Sequence, residues 1–264
     1  MNIARKNIDE FKRFMLTLAE KSSDVIVPFF GKDELPVELK ADQTPVTAAD
    51  RLAEKTMRDL INKRYPSHGI IGEEFGSENE NAEFVWVLDP IDGTLSFTHA
   101  CPLFGTLIGL MHNGVPLLGM IHQPVLQQLL VGDNTTTTFN GSPVSMRPTA
   151  TLAEATLLAT DITHIDQYHS RPAFDLLVSQ TKLFRTWGDC YGYLLLARGY
   201  ADIMLDAIMN PWDILALIPI IQGANGIITT WQGESAVNGD SCIAANRFLH
   251  HRVIDLLNTP QSTQ

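Results

Sequence analysis

A chain of 264 residues, 45% hydrophobic and 19% charged, can bury about 75% of its unfolded surface without disulfides or other staples. Its net charge of −11 speaks against a nucleic-acid partner, which needs a basic face, and Cys101, Cys190 and Cys242 lack the number and spacing for a disulfide framework or a thiolate zinc site. No apolar run is long enough to span a membrane, and the region from Met1 to Arg13 has no unbroken apolar segment of the signal-peptide kind, so a cytoplasmic globular protein with no membrane partner is expected.

Ile8, Phe11, Met15, Leu18, Ser22 and Val25 recur at three- and four-residue steps, which predicts an amphipathic helix ending before Pro28. Residues 29–39 read as loop or short strand, and 40–45 as a polar, mobile loop. Thr47 with Asp50 three residues on has the form of a capping box, opening a second helix whose stripe of Leu52, Ala53, Met57, Leu60 and Ile61 runs to about Arg64. Taken locally, Asp50 is a helix cap. Ile70 and Ile71 begin a short strand that stops at Gly72, Glu73 and Glu74. Adjacent glutamates are usually solvated surface. Here they end a strand, and strand ends are where sites gather.

The stretch Trp86-Val87-Leu88-Asp89-Pro90-Ile91-Asp92-Gly93-Thr94 organises the rest. Phe84 to Leu88 has the aromatic and β-branched character of a buried strand, so Asp89 and Asp92 emerge where it stops. Pro90 forces a turn, Gly93 permits positive φ or a close approach, and the Thr94 hydroxyl stands beside two carboxylates. Oxygen-only donors at this density suit a hard cation such as Mg²⁺. An Asp-Pro turn with an Asp cap fits the same residues about as well. An EF-hand does not fit, because position 3 counted from Asp89 is Ile91 and position 12 is Cys101. Aspartyl-phosphate phosphatases separate their two Asp by one residue; here two intervene.

Residues 104–111, 115–122 and 126–131 are apolar segments separated by Asn113-Gly114 and Pro124, which predicts an antiparallel meander. The turn-rich stretch that follows Thr135 places a soft boundary between halves 1–145 and 146–264. Beyond it, strands are expected at 157–160, 183–187, 201–205, 227–231 and 241–245. Helices are expected at 172–180, 191–198 and 248–257, and from Asn210 to about Ala224 with a kink at Pro219. Asn210 caps that helix, Pro211 takes its first position, and Asp213 favours the dipole. The eight histidines are scattered without ligand spacing and read as core or surface.

Glu73 in Gly-Glu-Glu, the Asp89-Pro90-Ile91-Asp92-Gly93-Thr94 block and Trp212-Asp213 at a helix start occur in that order and together resemble the inositol monophosphatase family of Mg²⁺-dependent, lithium-sensitive phosphatases. The resemblance runs from about Ile8 to Leu257. It implies an α+β fold, an α-β-α-β-α layered sandwich with an antiparallel N-terminal sheet and a mixed C-terminal sheet, commonly a homodimer. It also implies two or three Mg²⁺ ions. Glu73, Asp89 and the Ile91 carbonyl would hold the first ion; Asp89, Asp92 and Asp213 the second; Asp50 and Glu73 a third, weaker one. Most of these ligands lie in 1–145, whereas Asp213 and the specificity residues lie in 146–264. Asp50, Glu73 and Thr94 become the catalytic group that sets a Mg²⁺-activated water for in-line attack on a phosphate monoester. The Gly93 and Thr94 N–H groups would cradle the phosphate, with Asp92 and Asp213 alongside.

Within that family, residues 104–110, Gln123-Pro124-Val125-Leu126 and above all Gly188-Asp189-Cys190-Tyr191-Gly192-Tyr193 are most similar to the histidinol-phosphate phosphatase branch. Histidinol phosphate carries an amine and an imidazole where inositol is a neutral polyol, so added carboxylates discriminate between them. Asp206, seven residues before Asp213, matches the position that meets the organic part of the substrate, and Asp189 supplies further charge or caps a helix before Tyr191. Inositol-1-phosphate phosphatase and a broad small-monoester phosphatase are the alternatives. A catalytically dead binding protein would have lost one of the acidic ligands, and all are present.

Overall fold

A computed structural model describes residues 5–32, 37–39, 45–163 and 165–259, so residues 40–44 of the loop expected at 40–45 lie outside the described residues, while Pro45 opens a short strand. Helices α1 (Arg5–Ile26) and α2 (Ala48–Arg64) flank, in sequence, a ribbon of β1 (Val37–Leu39) and β2 (Pro45–Thr47). There follow β3 (Gly69–Gly72), β4 (Gly76–Glu78), β5 (Phe84–Asp92), α3 (Thr94–Thr98), β6 (Gly105–His112), β7 (Val115–Gln123), β8 (Gln128–Gly132), β9 (Thr137–Phe139) and β10 (Ser142–Val144). These eight strands form one sheet in the order β10-β9-β8-β7-β6-β5-β3-β4. Its pairs are antiparallel except β3 with β5, which are parallel.

The second part comprises β11 (Thr156–Ala159), α4 (Ile165–Tyr168), α5 (Arg171–Gln180), β12 (Leu183–Arg185), α6 (Asp189–Ala197), β13 (Ile203–Asp206), α7 (Pro211–Ile214), α8 (Leu217–Gly223), β14 (Gly226–Thr229), β15 (Cys242–Asn246) and α9 (His250–Asn258). Its five-stranded sheet, β12-β11-β13-β15-β14, is mixed.

Period-2 alternation explains the layering, because both faces of β5 are buried and each takes its own partner. Trp86 and Leu88 pack with Phe11, Met15 and Leu18 of α1 and Met57 and Ile61 of α2. Val87, pointing the other way, joins Leu107, Ile121 and Leu130 against Leu194 of α6 and Leu217 and Ile220 of α8, which meet Leu158, Met204 and Ala244 of the second sheet. That sheet's far face, through Leu157, Ile203 and Ile243, covers Phe174 and Leu177 of α5 and Val253 of α9. The result is the α-β-α-β-α sandwich. No helix among the described residues is long and apolar enough to cross a membrane.

One row of glycines sets the spacing of the middle layer. Gly109, Gly119 and Gly132 stand opposite one another on β6, β7 and β8. A Cβ on Gly119 would lie 1.8 Å from the Ala216 carbonyl oxygen, and one on Gly132 would lie 2.4 Å from the Ile220 Cα. The backbone from Ala216 into α8 therefore rests directly on the sheet.

The structure departs from the sequence reading at several points; β5 does not stop at Leu88 but runs on to Asp92, with a bulge where a turn was expected at Pro90. The single helix expected from Asn210 to Ala224 is two, separated at Leu215 and Ala216, because Pro219 lies in the first turn of α8, where a missing N–H has no partner to lose and no kink results. The turn-rich stretch after Thr135 holds the hairpin β9–β10, which extends the first sheet at its edge. Short β4 and the four-residue α4 were not expected either.

Candidate active site

Because β3 and β5 run parallel, their C-terminal ends emerge together, and this brings Glu73 beside Asp89; the Glu73 N–H donates to the Leu88 carbonyl at 3.2 Å. Asp89 faces Leu107 and Asp92 faces Gly105 across β6, so Pro90 and Ile91 make a bulge with one residue more than the partner strand. The Thr106 hydroxyl fixes that bulge by donating to the Pro90 carbonyl at 2.8 Å. Gly93 then takes φ +90° and starts α3; a Cβ there would lie 2.9 Å from Asp189 Oδ2.

Asp213 arrives from the middle layer. It closes a capping box with Asn210, whose N–H donates to Asp213 Oδ2 at 2.7 Å. Asp89, Asp92 and Asp213 each bring an oxygen into a group whose members lie within 4.8 Å of one another. Burial, then the charges of Glu73, Asp92 and Asp213, push the Asp89 carboxyl well above the usual carboxylate range. Asp92 rises through burial and the charges of Asp189 and Asp213, opposed by the Cys190 N–H. Burial raises Asp213 to about 7 against the pull of its Asn210 hydrogen bond. Asp89 Oδ1 is buried with no hydrogen-bond partner. A divalent cation with oxygen ligands fits this set, since it would supply the missing partner and reverse the mutual repulsion.

Asp50 serves as the cap the sequence suggests and also reaches the site from behind. Its Oδ2 accepts from the Thr47 N–H at 2.8 Å and the Thr47 hydroxyl at 2.6 Å, while Oδ1 lies 3.4 Å from the Thr94 hydroxyl. That hydroxyl also donates to the Ile91 carbonyl at 3.0 Å. Burial raises the Asp50 carboxyl, offset in part by Thr47.

All the other expected site residues, Glu73, Asp89, Ile91, Asp92, Gly93, Thr94, Asp189, Asp206 and Asp213, line one cavity of about 660 Å³. Asp206 and Asp189 occupy its second-sheet wall. Asp206 accepts from the Tyr193 hydroxyl at 2.8 Å and the Thr160 N–H at 3.2 Å. Asp189 is not the cap of α6: Gly188 holds that position, and Asp189 is the first helical residue at φ +50°, its N–H donating to the Thr160 hydroxyl at 2.8 Å. No protein donor among the described residues reaches the Asp189 carboxylate, which burial and the charges of Asp206 and Asp213 raise to about 7.

Sequence reasoning assigned no site role to Thr160, Tyr168, Ile208 and Trp212, which also line the cavity. Thr160 directly follows β11 at its C-terminal end, so its position carried a signal. Tyr168, the last residue of the short α4, and Ile208, in the loop after β13, carried none.

A family model described as the inositol monophosphatase family matches residues 7–262. A histidinol-phosphatase from Chlorobaculum parvum is 38% identical over 241 residues, 90% of this chain and 93% of that one. The chloroplastic bifunctional phosphatase IMPL2 of Arabidopsis thaliana is 41% identical over 230 residues, 86% of this chain and 66% of that one. Among solved structures, an inositol monophosphatase from Zymomonas mobilis aligns with a TM-score of 0.83 at 36% identity, over 95% of this chain and 98% of that one.

Proposed function

Since the chain belongs to the inositol monophosphatase family and is a phosphatase of that family, we propose that it hydrolyses L-histidinol phosphate to L-histidinol and phosphate. The observation that carries this substrate is Asp189, a half-buried carboxylate that lines the cavity without a protein donor among the described residues. A carboxylate largely withdrawn from water gains most from a cationic partner. The amine and imidazole of histidinol phosphate supply one, whereas inositol offers only neutral hydroxyls. The name of the Chlorobaculum relative supports the same reading.

In this reading Glu73, Asp89, the Ile91 carbonyl, Asp92 and Asp213 hold Mg²⁺, with Asp50 and Glu73 contributing to a further, weaker ion. Bound Mg²⁺ supplies neutralising charge to the phosphoryl oxygens and acidity to water. Thr94, hydrogen-bonded to Asp50, orients the attacking water beside Glu73. The first N–H groups at Gly93 and Thr94 cradle the phosphate. Asp189 and Asp206 take the organic part, Asp206 being held by Tyr193 and Thr160.

Phosphate release measured side by side on L-histidinol phosphate, inositol 1-phosphate and a nucleoside monophosphate tests the proposal. A kcat/KM for histidinol phosphate that clearly exceeds the other two is expected; an inositol 1-phosphate value equal or higher overturns it. Inositol 1-phosphate is the second reading, because the Zymomonas inositol monophosphatase is 36% identical, close to the 38% of the histidinol-phosphatase.

A further inference from the structure

Glu54 and Arg58 lie one and two turns beyond Asp50 on α2, on the same buried side. An i,i+4 ion pair of this kind is ordinarily solvated and contributes little. This one is not solvated: Glu54 is fully buried and Arg58 is 9% exposed. Burying two charges is unfavourable unless their remaining hydrogen-bonding capacity is met, and here it is met almost entirely by one short turn.

That turn is Gly72-Glu73-Glu74-Phe75-Gly76, between β3 and β4. Glu54 Oε2 accepts from the Glu74 N–H at 2.7 Å, and Oε1 accepts from the Phe75 N–H at 3.2 Å and from Arg58 Nε at 2.7 Å. Arg58 Nη2 donates to the Gly76 carbonyl, and Arg58 Nη1 lies 3.6 Å from Glu78 Oε2 on β4. Gly72 sits so close that a Cβ on it would fall 2.1 Å from Glu54 Oε1. The pair thus holds the backbone just after Glu73 by hydrogen bonds, and Gly72 just before it packs closely against Glu54.

We infer that Glu54, braced by Arg58, is a positioning residue that fixes Glu73 for metal binding; the inference rests on the reading of Glu73 as a metal ligand. All three groups facing the Glu54 carboxylate are donors, so an amide in its place must turn an NH₂ toward at least one of them. Glu54→Gln therefore frees the turn while leaving the shape of α2 unchanged. Supporting partners of a metal ligand are worth about 10–100-fold in metal affinity.

The test is Mn²⁺ binding to the metal-depleted protein, followed by EPR of free Mn²⁺ without substrate, for wild type, Glu54→Gln, Glu73→Gln and the double variant. Glu54→Gln should weaken binding by about 10–100-fold in the wild-type background and by less than about twofold when Glu73 is already Gln, because a positioning residue has nothing left to position. Wild-type affinity in folded Glu54→Gln, or an equal loss in both backgrounds, overturns the inference. Should far-UV circular dichroism show Glu54→Gln unfolded, Glu54→Asp replaces it: the charge stays, the carboxylate retreats by one methylene, and the same two outcomes decide. If wild type itself binds no Mn²⁺, the metal-ligand reading fails first and takes this one with it.

Discussion

The backbone N–H of Cys190 donates to Asp92 Oδ2 at 2.5 Å, so the first turn of α6 is fastened to the carboxylate that ends β5, 98 residues earlier in the chain. The bond ties the second-sheet wall of the cavity to the first. The same carboxylate stands in the group formed with Asp89 and Asp213.

Asp92→Asn keeps an acceptor for Cys190 and removes a charge. Turnover should fall by on the order of 10³-fold, the scale on which lost transition-state charge stabilisation is felt. The metal-free variant should melt at or above the wild-type temperature, because one of several mutually repelling, largely desolvated carboxylates is gone. Thermal scans with and without Mg²⁺ check both halves: the Mg²⁺-dependent rise in Tm expected of the wild type should shrink or vanish in the variant. A near-wild-type rate at saturating Mg²⁺ contradicts the assignment.

Asp189→Asn separates substrate recognition from metal chemistry. Its carboxylate holds up no protein donor, so stability should change little, whereas kcat/KM for histidinol phosphate should drop by about 10–100-fold, the worth of a charge-assisted contact. Activity on inositol 1-phosphate should stay within about threefold. Equal losses on both substrates would remove the specificity role.

Much of this site is legible in the residues because each acid stands where a regular pattern ends. Leu88 finishes an apolar run just before Asp89, Asn210-Pro211 opens a helix just before Asp213, and Thr47 announces Asp50. The capping boxes at Asp50 and Asp213 both form, so the local reading of each is right and yet incomplete: caps spare oxygens that can face elsewhere. Three features stay hidden. Asp189 at positive φ breaks the capping pattern around it, because Gly188 must lie against Thr160, where a Cβ would come within 2.3 Å of the Thr160 Cα. The strands β9 and β10 are three residues each at a sheet edge, too short and too polar to show alternation. Glu54 and Arg58 look like an ordinary solvated pair until the turn carrying Glu73 folds over them.

Gly119→Ala tests whether the glycine row places Asp213. The added Cβ would meet the Ala216 carbonyl oxygen at 1.8 Å, and the obstacle is backbone, which cannot swing aside. The segment from α7 into α8 must lift from the sheet. Stability should fall by about 3 kcal/mol, the upper part of the usual range for overpacking, as measured by urea unfolding. Mg²⁺ affinity should fall with it, since Asp213 rides on α7. A variant with unchanged stability would mean that the approach of Ala216 to the sheet is loose.

His250 gives the fold an acid limb that lies outside the cavity. It is 6% exposed, its Nε2 lies 2.9 Å from the Thr229 hydroxyl, and burial, reinforced by neighbouring His251, lowers its pKa from the ordinary 6.5 to about 4. Between those values the unfolded chain binds a proton that the folded chain refuses, so stability is fully present above about pH 6.5 and is lost as pH falls toward 4. Raised carboxylates such as Asp189 act in the opposite sense, so only a difference between variants isolates the histidine. His250→Gln keeps a partner for Thr229 and does not titrate. Urea unfolding at about pH 7.5 and about pH 5 should show wild type losing on the order of 1–2 kcal/mol more than the variant over that interval. Parallel losses in the two proteins would mean that His250 takes up its proton in the folded state as readily as in the unfolded one.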